Sequence, residues 1–409
     1  MRAAGIICEF DPFHLGHRYL VDSARKELSP DAVVCVMSGA FTQRGMPACW
    51  DKFARARAAV AGGADLVLEL PAVYAVNSAE YFARGGVRIL KGLGCVETLA
   101  FGSECGDSAS LMEAAAVTVC ESPQFSDALR SALSEGLSYA AAYERAVRQA
   151  CPQVDARIFS GPNDTLGISY IRQIIKQDAG MDVFVVKREG ALHGSSEASS
   201  PFVSGSYVRS VLALEGADPE SLRTHEMIPQ STAKVLFSDG VLSFPSSEKL
   251  FALAACRILE APEEYLSSLP EVSEGLENRL KDAVMKSSGL ESLVSNLSTR
   301  RYSRARISRV LSQLILGIDR DTLEIAEKNE AAYAKVLAFN GKGAKLLRHA
   351  QKKGNIPVLS NINKNLMIDD ACKKLLDIDI VSNDIYTILC GKPPAEFSDK
   401  VRVPIIMEN

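Results

Sequence analysis

Four times between residues 3 and 101 the chain repeats one unit, a short apolar run closed by a turn and separated from the next by a stretch with helical spacing. The runs are Ala3 to Cys8, Ala32 to Met37, Asp65 to Leu70 and Val96 to Phe101; helices are expected from Gly16 to Leu28, about Asp51 to Ala61, and Ala79 to Leu93. Strands joined in this way pair in parallel, because a parallel crossover needs the dozen or more residues that a helix supplies. An open sheet of this kind takes its ligands just past the carboxyl ends of its strands.

From Asp107 to Gln149 the pattern is purely helical; a strand, Met181 to Lys187, and a helix, Ser206 to Leu214, then resume the earlier alternation. The expected architecture is therefore a Rossmann-like α/β parallel-sheet domain over 1–215 with a helical insertion at about 107–150. A mainly α-helical, partly basic C-terminal domain is expected over 216–409, with strand-like pieces at Pro357 to Leu359 and Ile378 to Val381. A chain of 409 residues exceeds what one core usually supports. Ten cysteines without a CxxC pair read as reduced, mostly buried thiols. The opening strand is broken too soon, by Glu9 and Asp11, to be a signal peptide, and no apolar run spans a bilayer, so a cytoplasmic location without membrane contact is expected.

The segment Glu9 to His17, EFDPFHLGH, falls between the first strand and the first helix. His14 and His17 are thereby neighbours at a helix N-terminus, and Gly16 leaves room for a phosphate to approach the backbone amides. Two imidazoles and a helix dipole can stabilise charge on an α-phosphate and a departing pyrophosphate, a reaction that needs positioned donors more than a covalent nucleophile. Standing alone, HxGH could equally be a capping or metal-binding pair; no third ligand lies at helical spacing, which argues against zinc, and no metal site is expected. Ser204, Ser206 and Arg209 open the helix after the Met181 to Lys187 strand, where hydroxyls and a guanidinium would face the same phosphates from another side.

Together these pieces resemble the tRNA(Met) cytidine acetate ligase family, within the HxGH nucleotidyltransferase superfamily. The resemblance spans nearly the whole chain and rests on GIICEFDPFHLGH, MSGAFTQRG, DLVLELP, Phe101-Gly102-Ser103-Glu104, GPNDTLGISYI, VKREG, SGSYVR, TRRYSRARISR and FNGKGAKLL. It implies an ATP-dependent ligase that forms acetyladenylate from ATP and acetate with release of pyrophosphate. The acetyl group then passes to the wobble cytidine of elongator tRNA(Met), giving N4-acetylcytidine. It further implies that ATP is a substrate, with Mg2+ held through its phosphates, and no protein partner is inferable. Carried over by position, His14 and His17 are catalytic. The ATP site comprises Ile7, Cys8, Glu9, Phe10, Asp11, Pro12, Phe13, His14, Leu15, Gly16, His17, Arg18, Tyr19 and Leu20, then Gly102, Asn163, Lys187 and Arg188. The chain departs from the pattern at Asp11 and Leu15, where relatives tend to carry Asn, and at Leu192-His193-Gly194, where they tend to carry Tyr-His-Asp, so no role is carried over to His193.

The formal charge of −4 hides an asymmetry: Leu297 to Gly354 holds thirteen Lys or Arg against five Asp or Glu, a local +8 that leaves −12 elsewhere. A basic stretch on an acidic chain fits a polyanion docking at one place. Arg300, Arg301, Tyr302, Arg304, Arg306 and Arg309 head a helix whose apolar face would pack inward, leaving arginines for backbone phosphate and Tyr302 for stacking on an unpaired base. Lys342 and Lys345, followed by Arg348, Lys352 and Lys353, would extend the surface. Two other functions fit the HxGH domain alone: a small-molecule adenylyltransferase, and a non-catalytic nucleotide- or tRNA-binding protein.

Overall fold

The computed structural model describes residues 1–137, 139–188, 204–214, 227–238, 243–273, 275–330, 332–362 and 366–408. The site of His193, His225, and the boundary expected near 215 lie outside the described residues. Five strands alternate with helices: β1 (Ala3–Cys8), α1 (Leu15–Leu28), β2 (Ala32–Ser38), α2 (Lys52–Ala61), β3 (Leu66–Leu70), α3 (Ala72–Ala75), α4 (Ala79–Gly92) and β4 (Val96–Ser103). A helical run follows, α5 (Ser108–Cys120), α6 (Pro123–Ser134) and α7 (Tyr139–Ala150); then come α8 (Pro162–Lys176), β5 (Asp182–Lys187) and α9 (Gly205–Leu214).

Strands β1 to β5 are parallel in the order β5-β4-β1-β2-β3. The chain steps outward from β1 through β2 to β3, then returns to the other side of β1 to lay down β4. The reversal opens a crevice between the carboxyl ends of β1 and β4. Strand β2 shows why its sequence does not alternate: Ala32, Val34 and Val36 enter the core on one face and Val33, Cys35 and Met37 the core on the other. The ten cysteines are free thiols. No helix among the described residues is long and apolar enough to cross a membrane.

Downstream of 215 the expected strand-like piece Pro357 to Leu359 is found, and one expectation is corrected. The sheet continues into the C-terminal part: β6 (Ala334–Phe339) pairs antiparallel with β3, and β7 (Val358–Leu359) and β8 (Ile405–Ile406) pair with β6. The later helices therefore pack onto a shared sheet and share its core. The apolar piece Ile378 to Val381 is not a strand but the middle of a helix, Asp370–Leu389, whose buried Leu375, Leu376, Asp379, Ile380, Asn383 and Tyr386 recur at three- and four-residue spacing.

The halves are joined by buried charge. Lys52, with no exposed side-chain surface, donates to both oxygens of Glu69 at 2.8 and 2.9 Å and to Asp399 at 2.6 Å. Lys335 of β6 completes the cluster, reaching Glu69 at 2.8 Å and also Asp399. Nearby, Arg402 donates to Asp51, the N-cap of α2, at 2.8 Å and lies over the Phe53 ring.

Candidate functional site

Three helices start at the crevice. Gly16 and His17 of α1, Pro162 and Asn163 of α8, and Gly205 and Ser206 of α9 all line it, so three helix N-termini, with their positive dipole ends, share one cleft. Arg44, Lys187, Arg188 and Arg209 line it as well. Such a site suits a multiply charged anion.

The histidine motif is held by its own backbone. His14 caps α1: its Nδ1 accepts from Gly16 N at 3.1 Å, while His17 Nδ1 accepts from His14 N at 3.2 Å. With each Nδ1 accepting, a neutral ring carries its proton on Nε2, so each imidazole is a donor at its outer nitrogen. The rings stack with centroids 3.6 Å apart. A Cβ at Gly16 would come within 3.0 Å of the His14 ring, which is why the residue between the histidines is glycine. The turn entering the helix is forced: Phe10 has φ +46°, uncommon for a bulky residue, and is fixed there by Phe13 and His17 rings 4.8 and 4.9 Å away.

Burial, with Arg188 and Arg209 adding, brings the His14 pKa down to about 3; burial, then His14 and Arg188, hold that of His17 well below its ordinary value despite the Pro12 carbonyl. Both rings are neutral in the free protein at neutral pH. The folded chain thus binds fewer protons than the unfolded chain between about 3 and the ordinary 6.5. The His14 contribution is complete above 6.5 and declines as pH falls toward 3. Urea midpoints of the unliganded protein at pH 7, 6 and 5 are expected to fall, and His14→Asn, which keeps a capping side chain, to fall less steeply.

Around the pair, other elements lock into place. Arg209 donates to the Asp11 carbonyl at 2.6 Å, and Gly205 sits against the same carbonyl, so α9 meets the histidine turn directly. Arg188 leaves β5 with its N–H on Ser103 O at 2.8 Å, and its side chain crosses Gly102 at the end of β4. Glu104 accepts from Asn163 side chain and backbone and from Asp164 N, while Asp164 accepts from Ser103 Oγ and the Glu104 and Cys105 N–H groups. This exchange fixes Asn163 in the cleft that Gly102 also lines. Arg55, fully buried, donates to the carbonyls of Glu9, Ser38, Gly39 and Trp50, pinning the ends of β1 and β2 together.

Most of the expected nucleotide residues therefore line one cleft, with exceptions. Phe13 is buried beneath α1 against Gly62, Arg18 is exposed and pairs with Asp22 at 3.4 Å, and Pro12 and Leu15 do not reach the cleft. Ser204 does not line it either; its hydroxyl lies 2.9 Å from that of Ser206 and accepts from Tyr207 N. Reading of the sequence gave no role to Gln43 and Arg44, in the TQRG after β2, or to Glu104, at the quoted end of β4, and missed Arg55, whose acceptors are backbone carbonyls and leave no local signal.

The expected RNA face is corrected more deeply. Tyr302 is buried, its hydroxyl on Ser273 O at 2.6 Å and its ring under Arg306, so it is not presented for stacking. Arg306 donates to Glu271 O and Ser273 Oγ, and Arg309 grips the Glu271 carboxylate at 2.6 and 2.8 Å. Arg304 pairs with Glu291 at 2.6 Å. The helix Arg304–Leu316 is a core element, its Ile307, Val310, Leu311, Leu314 and Ile315 buried as expected, with Arg306 and Arg309 turned to Glu271. Arg300, Arg301, Lys342, Lys345, Arg348, Lys352 and Lys353 remain exposed, the last five on one helix, Gly341–Lys353.

Residues 1–400 match the HIGH Nucleotidyl Transferase family. The chain is 33% identical over 401 residues to a tRNA(Met) cytidine acetate ligase of Acetivibrio thermocellus, covering 97% of this chain and 96% of the relative, and 32% identical to one of Clostridium perfringens, covering 99% and 100%. Among solved structures it is similar to Thermotoga maritima TmcAL in its apo form, TM-score 0.90 at 25% identity, and bound with alpha-thio ATP, TM-score 0.88 at 26%, with full coverage of both chains in each case. Cleft, sheet order and sequence agree: the chain belongs to the HIGH nucleotidyltransferase family and, within it, to the tRNA(Met) cytidine acetate ligases.

Proposed function

We infer that this chain activates acetate with ATP and transfers the acetyl group to the wobble cytidine of elongator tRNA(Met), in the cytoplasm. The observation that carries the first step is the pair of neutral, stacked imidazoles at the start of α1, facing Arg188 and Arg209 across the cleft formed by three helix N-termini. An acetate oxygen attacks the α-phosphorus and pyrophosphate leaves with the bonding pair. Charge builds on the phosphate oxygens, where preorganised Nε2–H and guanidinium donors stabilise it most. Gly102 and Asn163 serve the nucleoside end. Mg2+ would enter with the nucleotide, held through its phosphates.

For the tRNA, the corrected surface leaves Lys342 and Lys345, with Arg348, Lys352 and Lys353, as the phosphate-binding face, and Arg300 and Arg301 as a second contact. Lys342→Glu/Lys345→Glu is expected to weaken tRNA retention at least about tenfold and to flatten the dependence of log K on log salt by about 0.9 per lost phosphate contact. The reading as a whole is tested by ATP–pyrophosphate exchange with a panel of carboxylates, then mass analysis of nucleosides from bulk tRNA incubated with protein, ATP and acetate. Exchange with another carboxylate alone would favour a small-molecule adenylyltransferase; no exchange at all, a binding protein.

A further inference from the structure

A second cavity adjoins the nucleotide cleft, and the two share Glu9, Asp11, Arg44 and Arg209 as a common wall. Beyond that wall its character changes. Met46 and Pro47 form one side, and Phe244, Pro245 and Leu250 the other.

Both sides are rigid. Thr42 binds Met46 O through N and Oγ1 at 2.9 and 3.1 Å, and Gly45, at φ +73°, lies so close to Arg309 N that no side chain would fit. Opposite, the Phe244 ring meets Trp50 edge-on at 5.0 Å, and Ser243 and Ser246 are tied to the carbonyls of Cys390 and Leu389. A rigid apolar slot with an aromatic wall, ending at carboxylates beside an adenylate site, suits a flat heterocycle with a polar edge.

The two carboxylates differ. Asp11 Oδ1 is occupied by Cys49 N and Sγ at 2.7 and 2.8 Å, and Arg209 lies 3.6 Å from Oδ2. Glu9 takes Gln43 N on Oε1 at 2.6 Å, while its Oε2 has no hydrogen-bond partner among the described residues. Burial raises the Glu9 pKa, partly opposed by the Gln43 bond, which favours proton acceptance.

Resting on the function inferred above, we propose that this second cavity receives the unpaired cytosine base whose exocyclic amine is acetylated, and that Glu9 accepts the proton the amine loses. The amine nitrogen attacks the carbonyl carbon of acetyladenylate and a C–N bond forms. The carbonyl–phosphate C–O bond breaks, its electron pair leaving with AMP, and one N–H proton passes to Glu9 and then to solvent.

Ser247 is exposed at the mouth of the cavity, so Ser247→Trp obstructs entry without touching the core. In that variant tRNA acetylation is expected to fall at least about tenfold more than acetate-dependent pyrophosphate exchange, and Phe244→Ala to raise the KM for tRNA. Glu9→Gln should slow single-turnover transfer from preformed acetyladenylate about 10²-fold, well beyond its effect on exchange. Equal losses in both half-reactions, or a raised KM for acetate in Ser247→Trp, would assign the cavity to the acyl donor and overturn the proposal. So would undiminished transfer in Ser247→Trp. A wild-type chain that makes no N4-acetylcytidine would instead strike the functional reading, and this proposal with it.

Discussion

In His17→Ala, acetate-dependent ATP–pyrophosphate exchange is expected to drop by about 10²–10³-fold, the usual cost of removing one preorganised donor from a site of developing charge. tRNA retention in a filter assay is expected to stay largely as in the wild type. The reasoning rests on which nitrogen does what: His17 Nδ1 is used by His14 N, so the donor lost is Nε2–H at the cleft. The same substitution removes one half of the α1 capping box, worth about 0.5–2 kcal/mol. His17→Gln separates the two effects, because a glutamine at that position can restore the cap. Thermal stability should recover in His17→Gln while exchange stays low; recovery of both together would mean the ring serves only the helix.

A second large effect is expected far from the chemistry. Lys52→Met leaves Glu69 and Asp399 buried with only Lys335 between them, a loss of about 3–5 kcal/mol in the denaturant-derived stability. Lys52→Met combined with Glu69→Gln is expected to be more stable than Lys52→Met alone, and the opposite order would show that the cluster is not acting through charge.

What could be read in advance, and what could not, divides along the range of the interactions. Strands β1 to β5 and α1 announce themselves within a few residues, through apolar runs and spacing, and β1 has the bounds expected of it. The cleft was legible because sheet topology fixes where ligands sit and the histidines follow β1 immediately. Strand β6 was not, since its short apolar run lies in a stretch dominated by basic residues and its partner β3 is far back in the chain. Arg306 and Arg309 looked like an open cationic face; Glu271, which engages both, lies 35 and 38 residues upstream. Arg55 was silent for a related reason: its acceptors are four backbone carbonyls, which no side-chain pattern encodes.

The reach of Lys52 has a consequence for how the protein is made. Its partner Asp399 is 347 residues further along the chain. During synthesis the nucleotide-binding half emerges first, yet it carries a lysine that cannot reach that aspartate until 347 further residues have been made. A fragment that ends before Asp399 lacks one of the two carboxylates that hold Lys52, and is expected to be less stable and more readily proteolysed than the full chain.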